Sequence, residues 1–339
     1  MAQVALVMLV SLAAILLAST LFTNALEHFG ERARFSEGAT GSIFASVGTA
    51  LPETMVPLLA ILAGSQDRAL GAEVGVGSIL GSPLMLSTLS IFLLGVAVIK
   101  RRGVTGTLTP ARKGIRRDLN FYLIAFSLST LALFIPASLF ALRLAVCLAL
   151  IALYFLYVAR TMYVSRTATG AGDLTCADTP LYLTRLRLPD TMPTLVLQLV
   201  AGLLLLIGAA QQFIQAIHQA SALLGVSALL IAFLVIPVAT ELPEKVNSIL
   251  WVRRGRDTLA FGNITGALVF QGTLLPAIGI LLTPWAPRPE IMLGLLVTLL
   301  AACVMRLAIR RGRIPIRLLG INGLLYAAYI AVSLTMFSG

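Results

Sequence analysis

Histidine and cysteine are scarce in this 339-residue chain, with two of the first and three of the second. His28 and His218 stand alone near the ends of apolar stretches, which leaves no zinc, haem or histidine-based catalytic constellation to build on. Cys147, Cys176 and Cys303 show no paired spacing, so neither a disulfide framework nor a redox pair is expected; Cys147 and Cys303 read as inert thiols in apolar helices. Charge is short as well: only 12% of residues are charged and 58% are hydrophobic. With a mean hydropathy of +0.96, that balance excludes a soluble globular domain.

What is present is long apolar runs. Ten reach the length needed to cross a bilayer, roughly 4–26, 40–63, 74–98, 120–138, 140–162, 193–215, 221–250, 258–283, 290–309 and 318–337. The run 4–26 is expected to be a retained helix, because no basic residue precedes it and its apolar core is long for a leader. The net charge of +11 does not point to nucleic acid, because its distribution reports topology. If the N-terminus lies outside, 21 of the 25 Lys and Arg residues fall in inward loops, three in outward loops and one, Lys245, within a span. That is the positive-inside signature. A multi-pass protein of a bacterial inner (plasma) membrane with both termini outside is therefore expected.

Two segments repeat. VGTALPETM at 47–55 matches VATELPEKV at 238–246, pairing Thr49 with Thr240, Pro52 with Pro243 and Glu53 with Glu244. Downstream, GVGSILGSPLMLSTL at 75–89 matches AFGNITGALVFQGTL at 260–274, pairing Gly77 with Gly262, Gly81 with Gly266, Ser82 with Ala267 and Leu86 with Gln271. The copies lie five spans apart, and an odd offset reverses the direction of travel through the membrane. An all-α fold of two inverted five-helix repeats follows, with 1–164 and 191–339 as the halves and 165–190 as a cytoplasmic linker. Such repeats place a substrate site at the membrane midplane. Pro52 and Pro243, each followed by a glutamate, predict interrupted helices there. The glycines at four-residue spacing are expected to let helices pack closely.

GTALPE with GSILGSP, and ATELPE with GNITGA, resemble the two alpha repeats of the sodium/calcium exchanger (cation/calcium antiporter) superfamily, and most nearly its divergent bacterial sodium:calcium antiporter branch. The resemblance implies a central cation site. Glu53 and Glu244 would be its carboxylates and the metal ligands, Thr49 and Thr240 would flank them, and Ser82 would match the serine of the first GSN. The chain departs from the pattern at Ala50 and Glu241, where serine is usual, at Ala267, and at Leu86 and Gln271, where Asn or Asp is usual.

Calcium takes six to eight oxygens, typically including carboxylates. Two close carboxylates in a low dielectric also invite a shared proton, so the pair could serve calcium, sodium or protons. Gln271 is a neutral oxygen donor and joins the candidate set, with Asn247 and Asn263 behind it. Glu241 is open between ligand, partner of Lys245 and residue at a cavity mouth. Pro243 argues against regular helix between Glu241 and Lys245. The remaining acidic residues, Asp118 and Asp257 among them, fall near loops where solvation accounts for them.

The expected function is secondary active antiport, most simply calcium exchanged for sodium by alternating access. Proton-coupled cation exchange and a non-transporting sensor or scaffold on the same fold are the alternatives. No enzyme activity and no resident cofactor are expected. The ligands are the transported calcium and sodium or protons, and the partners are inorganic cations and the lipid bilayer rather than nucleic acid.

Overall fold

In a medium without water every backbone N–H and C=O must find a partner inside the protein, and helices are the local solution. The computed structural model describes residues 2–32, 51–63, 68–168 and 180–337, and these are almost wholly helical. In chain order the helices are α1 (Ala2–Arg32), α2 (Leu51–Ala63), α3 (Arg68–Met85), α4 (Ile91–Arg102), α5 (Arg112–Leu131), α6 (Phe140–Ala168), α7 (Met192–Leu224), α8 (Ala228–Arg253), α9 (Asp257–Leu282), α10 (Pro289–Ala308) and α11 (Ile316–Phe337). A π-helical turn, Leu86–Ser90, joins α3 to α4. Two short strands, β1 (Thr107–Leu108) and β2 (Ile314–Pro315), pair antiparallel.

Among the described residues seven helical stretches are long and apolar enough to cross a membrane: Ala2–Leu26, Arg68–Arg102, Phe140–Val164, Met192–Leu224, Asp257–Leu282, Pro289–Arg311 and Ile316–Ser333. The protein is a multi-pass integral membrane protein. The expected segments 40–63, 120–138 and 221–250 correspond to α2, α5 and α8, which lie outside those seven. Only the part from Leu51 onward of the first is described, α5 opens on the basic run Arg112–Arg117, and α8 carries Glu241, Glu244 and Lys245 within its length.

The chain forms two compact units, each drawing on sequence from before and after residues 165–190: Met1–Leu59 with Phe155–Ala220, and Ala60–Tyr154 with Ser221–Gly339. In the first unit, Gly202 of α7 brings that helix against Ala18 and Phe22 of α1, where a Cβ would lie 3.1 Å from the Phe22 amide nitrogen. A buried amide pair ties α7 to α1. Gln198 Nε2 donates to Asn24 Oδ1 and to the Leu21 carbonyl, both at 2.9 Å. Asn24 Oδ1 also accepts from the Tyr182 amide at 3.1 Å, and Gln198 Oε1 accepts from the Leu183 amide at 2.9 Å. An ion pair between Arg32 and Asp190 lies nearby in the chain.

In the second unit α3 runs along α8, α9 packs on α5, and α4 packs on α11. The α3–α4 and α9 spans are its innermost, each with 67% of its apolar window buried. The close approach of α3 to α8 depends on glycine. A Cβ on Gly77 would collide with the Leu229 carbonyl, and one on Gly81 with the Phe233 carbonyl. Pro237, four residues beyond Phe233, has no amide to occupy that carbonyl, so Gly81 approaches an acceptor left without its helical partner. Gly77 and Gly81 are thus packing glycines as expected. Gly262 is not, because nothing lies within 4 Å of its Cβ position.

Three basic loops share one side of this unit. β1 and β2 join the loop after α4 to the loop before α11. Arg102 grips Asp257 with two bonds of 2.7 and 2.8 Å, and Arg101 donates to the Arg253 carbonyl at 2.8 Å. These are the loops 100–118, 253–256 and 306–317 that the charge distribution assigns to a common face.

Candidate functional site

α8 carries the second copy of the repeated motif, and it does not break there. It runs as one helix from Ala228 to Arg253 through both Pro237 and Pro243, which corrects the expectation of an interrupted helix in this copy. A proline removes a single amide donor, and close packing holds the remaining turns in register. In the first copy, α2 opens at Leu51 with Glu53 in its first turn, and residues 33–50, including Thr49, lie outside the described residues.

Because α8 is continuous, Glu241, Lys245 and Ser248 fall on one face at helical spacing. All three are buried, Glu241 at 0%, Lys245 at 2% and Ser248 at 0% exposure. That overturns both the cavity-mouth reading of Glu241 and the argument from Pro243 that Glu241 and Lys245 could not share a helical face. Glu241 Oε1 accepts a hydrogen bond from Gln271 Nε2 of α9 at 2.8 Å. Gln271 is itself buried, and its Oε1 has no hydrogen-bond partner among the described residues. Further along, Asn263 Nδ2 donates to Ser248 Oγ at 2.9 Å. α8 and α9 are therefore joined by a buried polar seam with a carboxylate–amide pair at one end and an amide–hydroxyl pair at the other.

Thr240 is buried on α8, but its hydroxyl donates to the Ile236 carbonyl at 3.0 Å within its own helix. Its oxygen keeps lone pairs free to accept or to ligate. Glu244 lies in the same helix, and its side chain is outside the described residues, as is that of Asn247. Glu53 is buried in the first unit, at 2% exposure. Ser82 is buried on α3, one turn from Ser78, whose buried Oγ has no hydrogen-bond partner among the described residues. Among the described residues no three His, Cys, Asp or Glu side chains are grouped as a metal site. A cation held by these residues would draw on neutral oxygens as well as carboxylates.

The two copies part company at Leu86 and Gln271. Gln271 sits in the regular helix α9, whereas Leu86 opens the π-helical turn that follows Pro83. A π-turn leaves carbonyls off the regular ladder, a disposition frequent at functional sites. The Leu84 carbonyl accepts from the hydroxyls of Ser87 and Thr88, and the Ser87 carbonyl accepts from Asn322 Nδ2 of α11 at 2.6 Å.

Two acidic residues set aside as loop residues turn out to be buried. Asp118 of α5 accepts from Thr265 Oγ1 of α9 at 2.8 Å and from Arg117. Asp257, at the start of α9, is held by Arg102 and by the Thr109 amide. Thr265 lies inside the second glycine motif, the one sequence signal that this stretch meets a polar partner. Of the isolated thiols, Cys147 is buried and donates to the Ala277 carbonyl at 3.4 Å, and Cys303 is exposed on α10.

Comparison with known proteins bears on family and fold. The family model described as sodium/calcium exchanger protein matches residues 3–163 and 194–335, nearly the whole chain. The chain is 28% identical over 249 residues to the inner membrane protein YrbG of Escherichia coli (strain K12), covering 72% of this chain and 69% of that protein. It is 33% identical over 99 residues to the putative antiporter CaxA of Alkalimonas amylolytica, a match spanning 29% of this chain and only 31% of the relative. Among solved structures the fold is similar to that of the H+/Ca2+ exchanger CAX, with TM-score 0.70 and 18% identity, covering 98% of this chain and 87% of that one. It is also similar to the sodium-calcium exchanger NCX_Mj, with TM-score 0.54 and 18% identity, covering 98% of each chain. At such identities the likeness is one of fold, whereas the family match extends through both repeats, and on that ground the chain belongs to the sodium/calcium exchanger family.

Proposed function

We propose that this protein is a secondary active antiporter that exchanges calcium for sodium across a bacterial inner membrane by alternating access, with two inverted five-helix repeats, ten spans in all, both termini outside and 165–190 as the linker. The observation that carries the reading is the buried Glu241–Gln271 pair. A carboxylate deep in an apolar helix costs several kcal/mol, about 2.5–3.5 on insertion scales, and such residues mark ion pathways. The amide that holds it leaves a buried oxygen, Gln271 Oε1, available to a cation or water. Glu53 and Glu244, equivalent by repeat, supply the carboxylates that bind the transported cation, with Thr49, Thr240 and Ser82 as neutral ligands and Gln271 and Glu241 completing the set.

The test is flux in vesicles reconstituted with the pure protein. Calcium uptake should be driven by an outward sodium gradient imposed alone. Calcium movement that responds to neither a sodium nor a proton gradient would sink antiport altogether.

One observation favours a second reading, proton-coupled exchange. Glu241 puts a buried carboxylate where the family's serine is neutral. If Glu241 carries the exchanged proton, Glu241→Gln flattens the pH dependence of calcium flux while calcium still binds. An unchanged pH profile removes that role.

The orientation has its own check. Val104 is exposed in the loop after α4, and in a cysteine-free background Val104→Cys should resist an impermeant thiol reagent added to intact cells. Labelling without permeabilisation would reverse the topology.

A further inference from the structure

The two hydrogen bonds between α8 and α9 set the antiparallel register of that seam. Glu241 is level with Gln271, and Ser248 with Asn263. Between these rungs, one turn from Glu241 and nearly one from Ser248, lies Lys245, level with Ala267. Lys245 is among the largest fully buried side chains of the molecule. A buried ammonium is costly unless acceptors and negative charge surround it. This seam supplies Glu241 a turn away on the same face, with Ser248 and Asn263 beyond. On the facing helix the level position is Ala267, whose side chain offers no oxygen and takes little room.

We propose that the Lys245 ammonium is a resident cation of the transport site: it fills a monovalent-cation position in the α8–α9 seam, so that the protein binds one mobile monovalent cation fewer than the seam's oxygens could otherwise hold. Lys245 is then a specificity-determining residue that sets how many ions accompany each calcium. The argument rests on the reading that the α8 carboxylates serve the transported cation. A lysine suits the task because its charge is a compact point with three donors on a flexible stem, closer to a small cation than guanidinium is.

Equilibrium binding tests it without requiring transport. Purified full-length protein and the variant Lys245→Met are titrated with radioactive sodium at constant ionic strength, with choline as the replacement cation. The expected result is one more sodium bound per chain in Lys245→Met than in the unaltered protein, at an affinity at least about tenfold above any residual binding, since removing a nearby unit charge in a partly buried site is worth that much or more. Lys245→Arg keeps the charge and should bind the same number as the unaltered protein. Should Lys245→Met fail to fold in choline, recovery of a monodisperse protein in sodium is the expected outcome, because the ion takes the place of the ammonium. An equal sodium count in Lys245→Met and the unaltered protein overturns the proposal, as does misfolding of Lys245→Met that sodium does not relieve; both would make Lys245 a structural partner only. Absence of calcium flux from the unaltered protein would instead overturn the antiport reading and leave the binding count to decide the role of Lys245.

Discussion

In the first copy of the repeat, the glycines of α3 press on the backbone of α8, and the polar side chains beside them, Ser78 and Ser82, are hydroxyls. In the second copy Gly262 meets open space, while Asn263 and Gln271 reach across from α9 to Ser248 and Glu241. The same motif thus serves close approach of helices in one half and polar bonding between helices in the other. Sequence divergence follows that split. Leu86 stands where an oxygen ligand would be in the first copy, whereas the second gains Glu241, Lys245 and Gln271. A motif repeated in sequence thus leaves each copy free to specialise in charge.

The largest effect that would test this comparison lies at the glutamates the copies share. Glu53→Gln and Glu244→Gln should each reduce calcium flux to background, and the double variant should be scarcely worse, since residues acting as a unit are non-additive. Robust flux in either single variant would remove that residue from the shared site. Next comes the packing half. Gly81→Leu forces a side chain into the Phe233 carbonyl and should cost about 1–3 kcal/mol or more, enough to prevent recovery of folded protein. Gly262→Ala should be tolerated, and equal damage at both positions would erase the contrast between the copies.

A smaller effect is expected where the second copy is made to resemble the first. Gln271→Leu deprives Glu241 of its amide donor, a charged hydrogen bond worth about 1.5–3 kcal/mol. Half-saturation for calcium should rise on the order of tenfold or more, and an unchanged value would show that the Glu241–Gln271 pair is purely structural. The smallest is Asn322→Leu, which leaves the Ser87 carbonyl of the π-turn without its donor at about 1 kcal/mol. It should lower the melting temperature by a few degrees while flux at low temperature is kept. Loss of flux without loss of stability would place the π-turn in the transport cycle.

Much of the helical, membrane-spanning character is readable from hydropathy, because the bilayer imposes span length, and the loop charges group the basic loops. Arg101, Arg102 and Arg253 do lie together, as loops of one face should. What could not be read is anything that depends on register between helices. The Glu241–Gln271 bond joins residues 30 apart, and no local pattern says which face of α8 meets which face of α9. Local rules also misled. Pro243 looked like a helix break because the rule describes an isolated turn, whereas α9 holds α8 on both sides of the proline, at Glu241 and at Ser248. Asp118 and Asp257 looked solvated because they border basic loops, yet those same arginines close over them.

Asp257 and Arg143 stand at opposite ends of one rod. α9, with 26 residues, is about 39 Å long at 1.5 Å per residue. At its start Asp257 is bolted to Arg102 of α4 and to the strand-bearing loop. Past its other end Arg143 of α6 donates to the carbonyls of Pro284 and Ile135, at 2.7 and 2.9 Å, and to that of Trp285 at 3.3 Å. A rod held at both ends cannot slide along its own axis within this unit unless one fastening breaks, so Gln271, which lies between the two, keeps its level beside Glu241 as long as both hold.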